Sequence, residues 1–238
     1  MKKNNSESIY KTIALIVSFV DLILILYLVS MTGTNEVMSN NNIIDNENKD
    51  NNVVEGIIEE DIMNNEKMEG NIVLFETSEG NFKVELFLEK SPITAGNFKQ
   101  LVESGFYDGI KFHRVIDGFM IQGGDPLSKN DSLKNRWGSG GSEPIEDEFI
   151  SGLSNVKGSL SMANAGPNTG SSQFFINVAD NTFLDWDKAP AQSKHPVFGK
   201  IVEGMDVIEK ISKVKTTGQP YDRPVNDVVI IKASIIEN

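Results

Sequence analysis

Three patterns of hydrophobic and polar positions follow one another along the chain. Residues 12–31 are almost continuously apolar, whereas the stretch that follows them is polar and has no repeating pattern. From residue 70 onwards, short runs rich in β-branched and aromatic residues alternate with glycine-containing turns, which is typical of β-strands. The pattern therefore divides the chain into three segments, at residues 1–31, 32–69 and 70–238.

The apolar stretch predicts an N-terminal transmembrane helix. Twenty residues in a helix rise about 30 Å, the thickness of a bilayer's hydrocarbon core. Asp21 would cost about 2.5–3.5 kcal/mol near the middle, but the Leu, Ile, Val and Phe residues around it contribute about −4 to −8 kcal/mol together. All lysines of the segment precede the stretch, so the positive-inside rule places the N-terminus in the cytosol and the rest of the chain outside.

Two other interpretations of this stretch stay open. A cleaved signal peptide has the same charged start and apolar run, and its removal would leave a secreted protein. A buried core helix is the third interpretation, although an acid such as Asp21 inside it would need a partner. No clear small-x-small cleavage site follows Val29, which favours a retained signal-anchor.

Residues 32–69 are predicted to form a flexible acidic linker. They contain ten acidic residues, two lysines, ten asparagines and no aromatic residue. Such a segment cannot bury enough apolar surface to order itself, and its charges repel one another. Residues 53–63 are predicted to form only a transient helix within the linker, and the alternative is a short amphipathic helix that packs against a partner.

The third segment predicts a mainly β domain with two helices. Pro92 follows a serine at a helix-start signal, and Gly105 ends that helical pattern. Helices are thus expected at residues 92–104 and 204–212, and strands at 71–77, 81–88, 110–116, 119–122, 156–163, 173–178, 197–202 and 225–236, the first two forming a hairpin. Many short strands without βαβ alternation favour a closed antiparallel β-barrel capped by two helices.

Composition excludes several classes of function. The chain has no cysteine, which excludes disulfides, thiolate metal sites and a cysteine nucleophile. Two histidines are too few for a histidine-rich site, so no metal is predicted. A net charge of −12 argues against nucleic acid as a partner. No P-loop or nucleophile elbow is present, and the glycines at 138–141 lack a dinucleotide-binding context and indicate a tight turn, so no cofactor is predicted.

Two motifs surround a single arginine. Residues 112–125 read FHRVIDGFMIQGGD, and residues 161–175 read SMANAGPNTGSSQFF. Both resemble the signature blocks of the cyclophilin family of peptidyl-prolyl cis–trans isomerases. The resemblance covers residues 70–238, including EDEF at 146–149 and HPVFGKIVEGMDV from His195. The family fold, an eight-stranded antiparallel barrel capped by two helices, agrees with the pattern above.

The resemblance implies that Arg114 is the catalytic group. A guanidinium that donates a hydrogen bond to the prolyl nitrogen stabilises the twisted amide more than either planar isomer, so no nucleophile is needed. The resemblance also implies a floor for the proline ring, groups that hold the flanking peptide, and one supporting polar residue. In this resemblance the floor consists of Phe119, Met120, Phe175 and Leu184, with His195 at its edge. The flanking peptide is held by Gln122, Ala163, Asn164 and Gln173, and the supporting polar residue is His113.

The chain departs from the family pattern at two places. Phe183 stands where many members carry a tryptophan at the pocket rim, so an indole N–H donor is missing. Cyclosporin binding is therefore expected to be weakened. Residues 186–194 lengthen the loop between Leu184 and His195 and are expected to reshape one wall of the groove.

The sequence thus predicts a membrane-anchored bacterial isomerase that acts on X-Pro bonds of proteins folding at the outer face of the cell membrane. Uncatalysed X-Pro isomerisation takes tens to hundreds of seconds, slow enough to limit folding. The first alternative is a membrane-tethered proline-recognising chaperone or scaffold with incidental isomerase activity. A hydrolase that uses a histidine as base is the second alternative, but no nucleophile motif accompanies it.

Overall fold

The computed structural model describes residues 71–190 and 193–236, which form one eight-stranded antiparallel sheet and two helices. The strands are β1 (Ile72–Thr77), β2 (Gly80–Leu86), β3 (Arg114–Ile116), β4 (Met120–Gly123), β5 (Ser159–Met162), β6 (Phe174–Asn177), β7 (Val197–Glu203) and β8 (Ile230–Ile236). The helices are α1 (Pro92–Glu103) and α2 (Met205–Ser212), and short 3₁₀ helices lie at Pro126–Lys129, Asp131–Arg136 and Thr182–Leu184.

The predicted N-terminal segments lie outside the described residues. These are the transmembrane helix at 12–31 and the linker at 32–69. Neither α1 nor α2 is long and apolar enough to cross a bilayer, and the described ranges contain no other candidate span. The predicted membrane anchor therefore stays a prediction.

The sheet is an open barrel, so the prediction of a closed barrel is wrong. The strand order is β3-β4-β6-β5-β7-β2-β1-β8, which leaves β3 and β8 as end strands. The barrel does not close because the predicted strand at 110–116 divides into two parts with different partners. Its first part bonds to the segment that leads into β8, through Phe112 N to Val228 O at 2.9 Å. Only its second part, β3, pairs with β4, so no continuous ladder joins the two ends.

The core is an aromatic cluster centred on Phe174 of β6. Its ring centroid lies 5.3 to 6.2 Å from those of Phe75, Phe98, Tyr107 and Phe112, and all five side chains are buried. The apolar face of α1 packs against the sheet, and Phe98 on that face joins this cluster. The alternation of buried and half-buried residues along β1 follows the period of two that predicted a strand.

Helix α1 begins where the Ser-Pro signal predicted, but its cap comes from elsewhere in the chain. Ser91 occupies the N-cap position and makes no side-chain cap hydrogen bond. The Glu148 carboxylate instead accepts hydrogen bonds from the backbone N–H groups of Ile93 and Thr94, at 3.1 and 3.0 Å. This carboxylate satisfies free donors of the first turn and ties the loop around residue 148 to the helix.

Candidate active site

Three neighbouring strands bring the predicted residues to one face of the sheet. Arg114 of β3 lies opposite Gln122 of β4, and Gln122 lies opposite Phe175 of β6. Directly opposed residues of antiparallel strands project to the same side, so these three side chains are neighbours. The pairing register therefore assembles residues that are 61 positions apart in sequence.

The glycines after β4 allow two backbone segments to approach closely. Gly124 has a φ of +91°, and a Cβ there would lie 2.2 Å from the carbonyl oxygen of Ser172. The next residue, Asp125, is fully buried and accepts a hydrogen bond from Gly138 N–H. Gly138 has the positive φ that is expected of a tight turn. Gly140 does not have a positive φ, but a glycine is needed there because a Cβ would clash with the Asp125 carboxylate.

A cavity of about 210 Å³ with an apolar floor and polar walls opens on this face of the sheet. Its floor is a small buried cluster of Met120, Phe175 and Leu184, which is separate from the main core. The lining residues are Arg114, Phe119, Met120, Gln122, Ala163, Asn164, Phe175, Leu184 and His195. All of them were predicted from the sequence, and the fold brings them together around one space.

A chain of amide hydrogen bonds stands behind Arg114. Gln173 donates through Nε2 to the carbonyls of Gly138 and Gly140, at 3.0 and 2.6 Å, so its Oε1 is free to accept. Gln122 Nε2 donates to that oxygen at 3.0 Å, and Gln122 Oε1 faces the Arg114 guanidinium at 3.5 Å. Each amide thus orients the next, and the last oxygen holds the arginine by a long, weak contact.

His195 forms the edge of the cavity as a neutral imidazole. Its Nδ1 lies 3.0 Å from the carbonyl oxygen of Met162, so Nδ1 carries the proton and donates. Burial lowers the pKa of His195, although the bond to Met162 and the nearby Asp147 carboxylate oppose that shift. The ring meets Phe175 edge to face at 5.2 Å, which fixes its plane at the side of the cavity.

A second, polar cavity of about 540 Å³ adjoins the first. Gln122, Ala163 and Asn164 line both cavities. Gln173, expected at the flanking-peptide positions, lies in this second space and not in the first. The remaining lining residues are small and uncharged: Gly138, Ser139, Gly140, Gly141, Ser142, Ala165, Thr169 and Ser171.

Phe183 lies at the rim. Its ring is 59% exposed and stacks on Phe119, with centroids 6.0 Å apart and planes 18° from parallel. Phe119 is part of the cavity wall, so the stack extends the apolar surface outwards. A phenylalanine offers no N–H donor at this position, and weakened cyclosporin binding stays a prediction.

His113 lies outside both cavities. The ring is 4% exposed, and neither of its nitrogens has a hydrogen-bond partner among the described residues. Burial lowers the pKa of His113 to about 4; the Asp125 carboxylate opposes this shift, and the charges of Arg114 and Arg223 add to it. The structure therefore places His113 outside both cavities as a neutral, buried group, and its supporting role stays a prediction.

This burial predicts a loss of stability in acid. Below about pH 6.5 the unfolded chain protonates His113 while the folded chain does not, until the pH approaches 4. The free energy of unfolding should therefore fall by about 3 kcal/mol across that interval through this group alone. Urea unfolding at pH 7 and pH 4 checks this: His113→Phe should show a drop smaller by about that amount, and equal drops in both proteins would contradict it.

The sequence reasoning missed two acids that position the site. Asp125 joins the end of β4 to the glycine loop, and Asp185 follows the floor residue Leu184. Both are almost fully buried. An acid within an otherwise apolar or glycine-rich motif, as in GGD at 123–125, was the available signal, because a buried carboxylate must have hydrogen-bond partners.

The chain is similar in sequence to curated proteins and similar in fold to solved structures. The chain is 44% identical over 166 residues to "Peptidyl-prolyl cis-trans isomerase-like 1" of Aspergillus fumigatus, which covers 69% of this chain and 95% of that protein. A crystal structure of a cyclophilin type peptidyl-prolyl cis-trans isomerase from Cryptosporidium parvum matches with a TM-score of 0.61 and 30% identity, over 71% of this chain and 98% of that one. Both organisms are eukaryotes, so these matches do not support the expected bacterial origin.

The same Cryptosporidium parvum protein was also solved in the presence of the dipeptide Ala-Pro, and that structure matches with a TM-score of 0.60 and 30% identity, over 70% of this chain and 99% of that one. Residues 72–235 match the family model described as "Cyclophilin type peptidyl-prolyl cis-trans isomerase/CLD". With the apolar cavity floor and the arginine that lines the cavity, this match shows that the chain belongs to the cyclophilin-type peptidyl-prolyl cis–trans isomerases.

Proposed function

We propose that the isomerase holds the proline ring in the 210 Å³ cavity and rotates the X-Pro bond with Arg114 as the stabilising donor. The barrier of about 18–20 kcal/mol arises from resonance between the nitrogen lone pair and the carbonyl. As the bond twists, the nitrogen becomes pyramidal and its lone pair can accept a hydrogen bond from the guanidinium. This interaction is absent in both planar isomers, so it lowers the barrier in both directions.

One observation carries this assignment: Arg114 borders the apolar floor and has little else to bind. Among the described residues, the only hydrogen bond of its guanidinium is the 3.5 Å contact with Gln122. A guanidinium held by an amide keeps its remaining N–H groups available, whereas a carboxylate partner would occupy them. A ~10⁵-fold acceleration needs about 7 kcal/mol of differential stabilisation, which a charged donor in a partly dry cavity can supply together with distortion of the bound peptide.

The flanking peptide is held by polar groups at the junction of the two cavities. Asn164 donates through Nδ2 to the carbonyl of Lys194 at 2.7 Å, and its buried Oδ1 has no donor among the described residues. That oxygen is suited to accept a peptide N–H, because a buried acceptor without a donor is costly until a substrate supplies one. The reaction moves no proton, so His195 acts as wall and acceptor only.

We further propose that the isomerase domain is tethered to a cell membrane and acts on X-Pro bonds of proteins folding at its outer face. Support comes from the apolar stretch at 12–31, from the lysines that precede it, and from the acidic linker at 32–69. The linker contains no proline, so it cannot act as a substrate for the isomerase domain that it tethers.

Fractionation of cells that produce the full chain tests the tether. The full-length mass should sediment with membranes and resist alkaline washing, and protease added to intact cells should remove the isomerase domain. A soluble product that starts near Thr34 would overturn the anchor in favour of a cleaved signal peptide. Protection from external protease would overturn the orientation.

A further inference from the structure

We propose that Asn181 is a positioning residue for isomerisation: it holds the Phe119 wall of the proline cavity against the segment that carries the floor residue Leu184. The inference rests on the isomerase function of this cavity and concerns how firmly the proline ring is bound. Asn181 lines neither cavity, so its effect on the substrate passes through the residues to which it is hydrogen-bonded.

The side-chain amide of Asn181 uses both of its N–H groups. Nδ2 donates to the carbonyl oxygen of Phe119 at 2.8 Å and to Oδ1 of Asn177 at 2.7 Å. A side-chain amide has two such donors, so neither is left over. Asn181 is 3% exposed, and these bonds are therefore formed away from competing water.

The backbone of Asn181 ties the same residue to the cavity floor. Its carbonyl oxygen accepts a hydrogen bond from Leu184 N–H at 2.9 Å, and its own N–H donates to the carbonyl oxygen of Asn155 at 2.7 Å. Asn181 is the N-cap residue of the short 3₁₀ helix Thr182–Leu184. One residue thus sets the spacing between a wall and the floor, through its side chain to Phe119 and its main chain to Leu184.

Asn177 anchors this clamp to the sheet. Its Oδ1 accepts from Asn181, and its Nδ2 donates to the hydroxyls of Ser159 and Ser161 at 2.8 and 3.1 Å. Ser161 lies opposite the floor residue Phe175 in the pairing of β5 with β6. The four polar residues of this group are buried, and a buried network with satisfied donors holds one geometry.

The clamp is expected to act on proline binding more than on the rate of rotation. The Phe119 carbonyl oxygen also accepts from Val178 N–H at 3.0 Å, so loss of the Asn181 side chain loosens the wall without releasing it. The wall contacts the proline ring in planar and twisted states alike. Interactions that are equal in both states change KM and leave kcat near its original value.

NMR exchange of a short X-Pro peptide, over a range of peptide concentrations and with the full chain in mild detergent, tests the proposal. Asn181→Ala should raise KM about 3- to 10-fold and leave kcat within about 2-fold of the parent. Asn181→Leu also removes both donors but fills the space, so a similar rise would assign the effect to the lost bonds. Thr77→Ala is the matched control: it removes a hydroxyl that is bonded to Gly80 in a residue only 6% exposed, outside both cavities, and KM should not change.

A Phe119→Ala background separates positioning from a purely structural role. If Asn181 acts through the wall, Asn181→Ala should add less than about 2-fold to the KM of Phe119→Ala. Two effects that multiply in full would overturn the proposal, because residues that act independently contribute additively to the free energy. A parent-like KM in a folded Asn181→Ala or Asn181→Leu protein would overturn it as well.

The parent protein provides a readout that does not depend on any variant folding. The side-chain amide resonance of Asn181 should shift when the peptide fills the cavity, whereas that of the exposed Asn130, which lines neither cavity, should not. An Asn181 resonance that is unmoved at saturating peptide would contradict the clamp. Turnover by the parent, and its loss in Arg114→Ala, report the isomerase function separately.

Discussion

Replacement of Arg114 by alanine is expected to lower kcat/KM for X-Pro isomerisation by about 10²-fold or more, while peptide binding persists. The cavity floor of Met120, Phe175 and Leu184 is unchanged by this substitution, so the proline ring still has its apolar site. The guanidinium stabilises the twisted amide, so its loss should lower the rate of isomerisation and leave peptide binding in place. A 10²-fold loss corresponds to about 2.7 kcal/mol of transition-state stabilisation.

NMR exchange of a short X-Pro peptide measures this effect with the full-length chain in mild detergent. Arg114→Lys separates charge from geometry: an ammonium keeps the charge but lacks the planar fork, so most of the loss should remain. Arg136→Ala is the matched control, because Arg136 is exposed and lines neither cavity. Parent-like turnover in Arg114→Ala would contradict the proposed mechanism.

The same variant separates the isomerase from the chaperone or scaffold alternative. An isomerase that loses turnover should also lose its acceleration of proline-limited refolding of a client protein. A tethered proline-binding module would keep its effect on the client, because it depends on the cavity floor and not on Arg114. Retained assistance with abolished turnover would thus favour the alternative.

Replacement of Phe174 by alanine is expected to lower the free energy of unfolding by about 3–5 kcal/mol. Phe174 is fully buried and meets four aromatic rings that come from β1, α1 and the segment between α1 and β3. Its removal leaves a cavity where these elements join, and rigid neighbouring rings cannot collapse into it. A loss of this size is a large part of the stability of an ordinary domain.

Urea unfolding followed by circular dichroism measures the effect. Phe183→Ala is the matched control, because it removes the same side chain from a position that is 59% exposed, and its free energy of unfolding should change by less than about 1 kcal/mol. Similar losses in both variants would show that Phe174 is not the centre of the core.

Local sequence patterns were sufficient for the elements that depend on neighbouring residues. Alternation at 71–88 predicted the hairpin of β1 and β2, and Pro92 and Gly105 correctly bounded α1. The motif residues around Arg114 were predicted by family resemblance, and the fold gathers most of them around one cavity. Such patterns succeed because side-chain period and turn chemistry act over a few residues.

Other features of the site were decided by contacts between distant segments. The sequence by itself determined a mainly β domain with two helices and the residue types that meet at its cavity. Only the tertiary structure decided that the barrel is open, that His113 is buried outside the cavity, and that Phe149 stacks on Trp186. The physical reason is that burial and pairing depend on which strands become neighbours, and no local pattern of hydrophobic and polar residues records that choice.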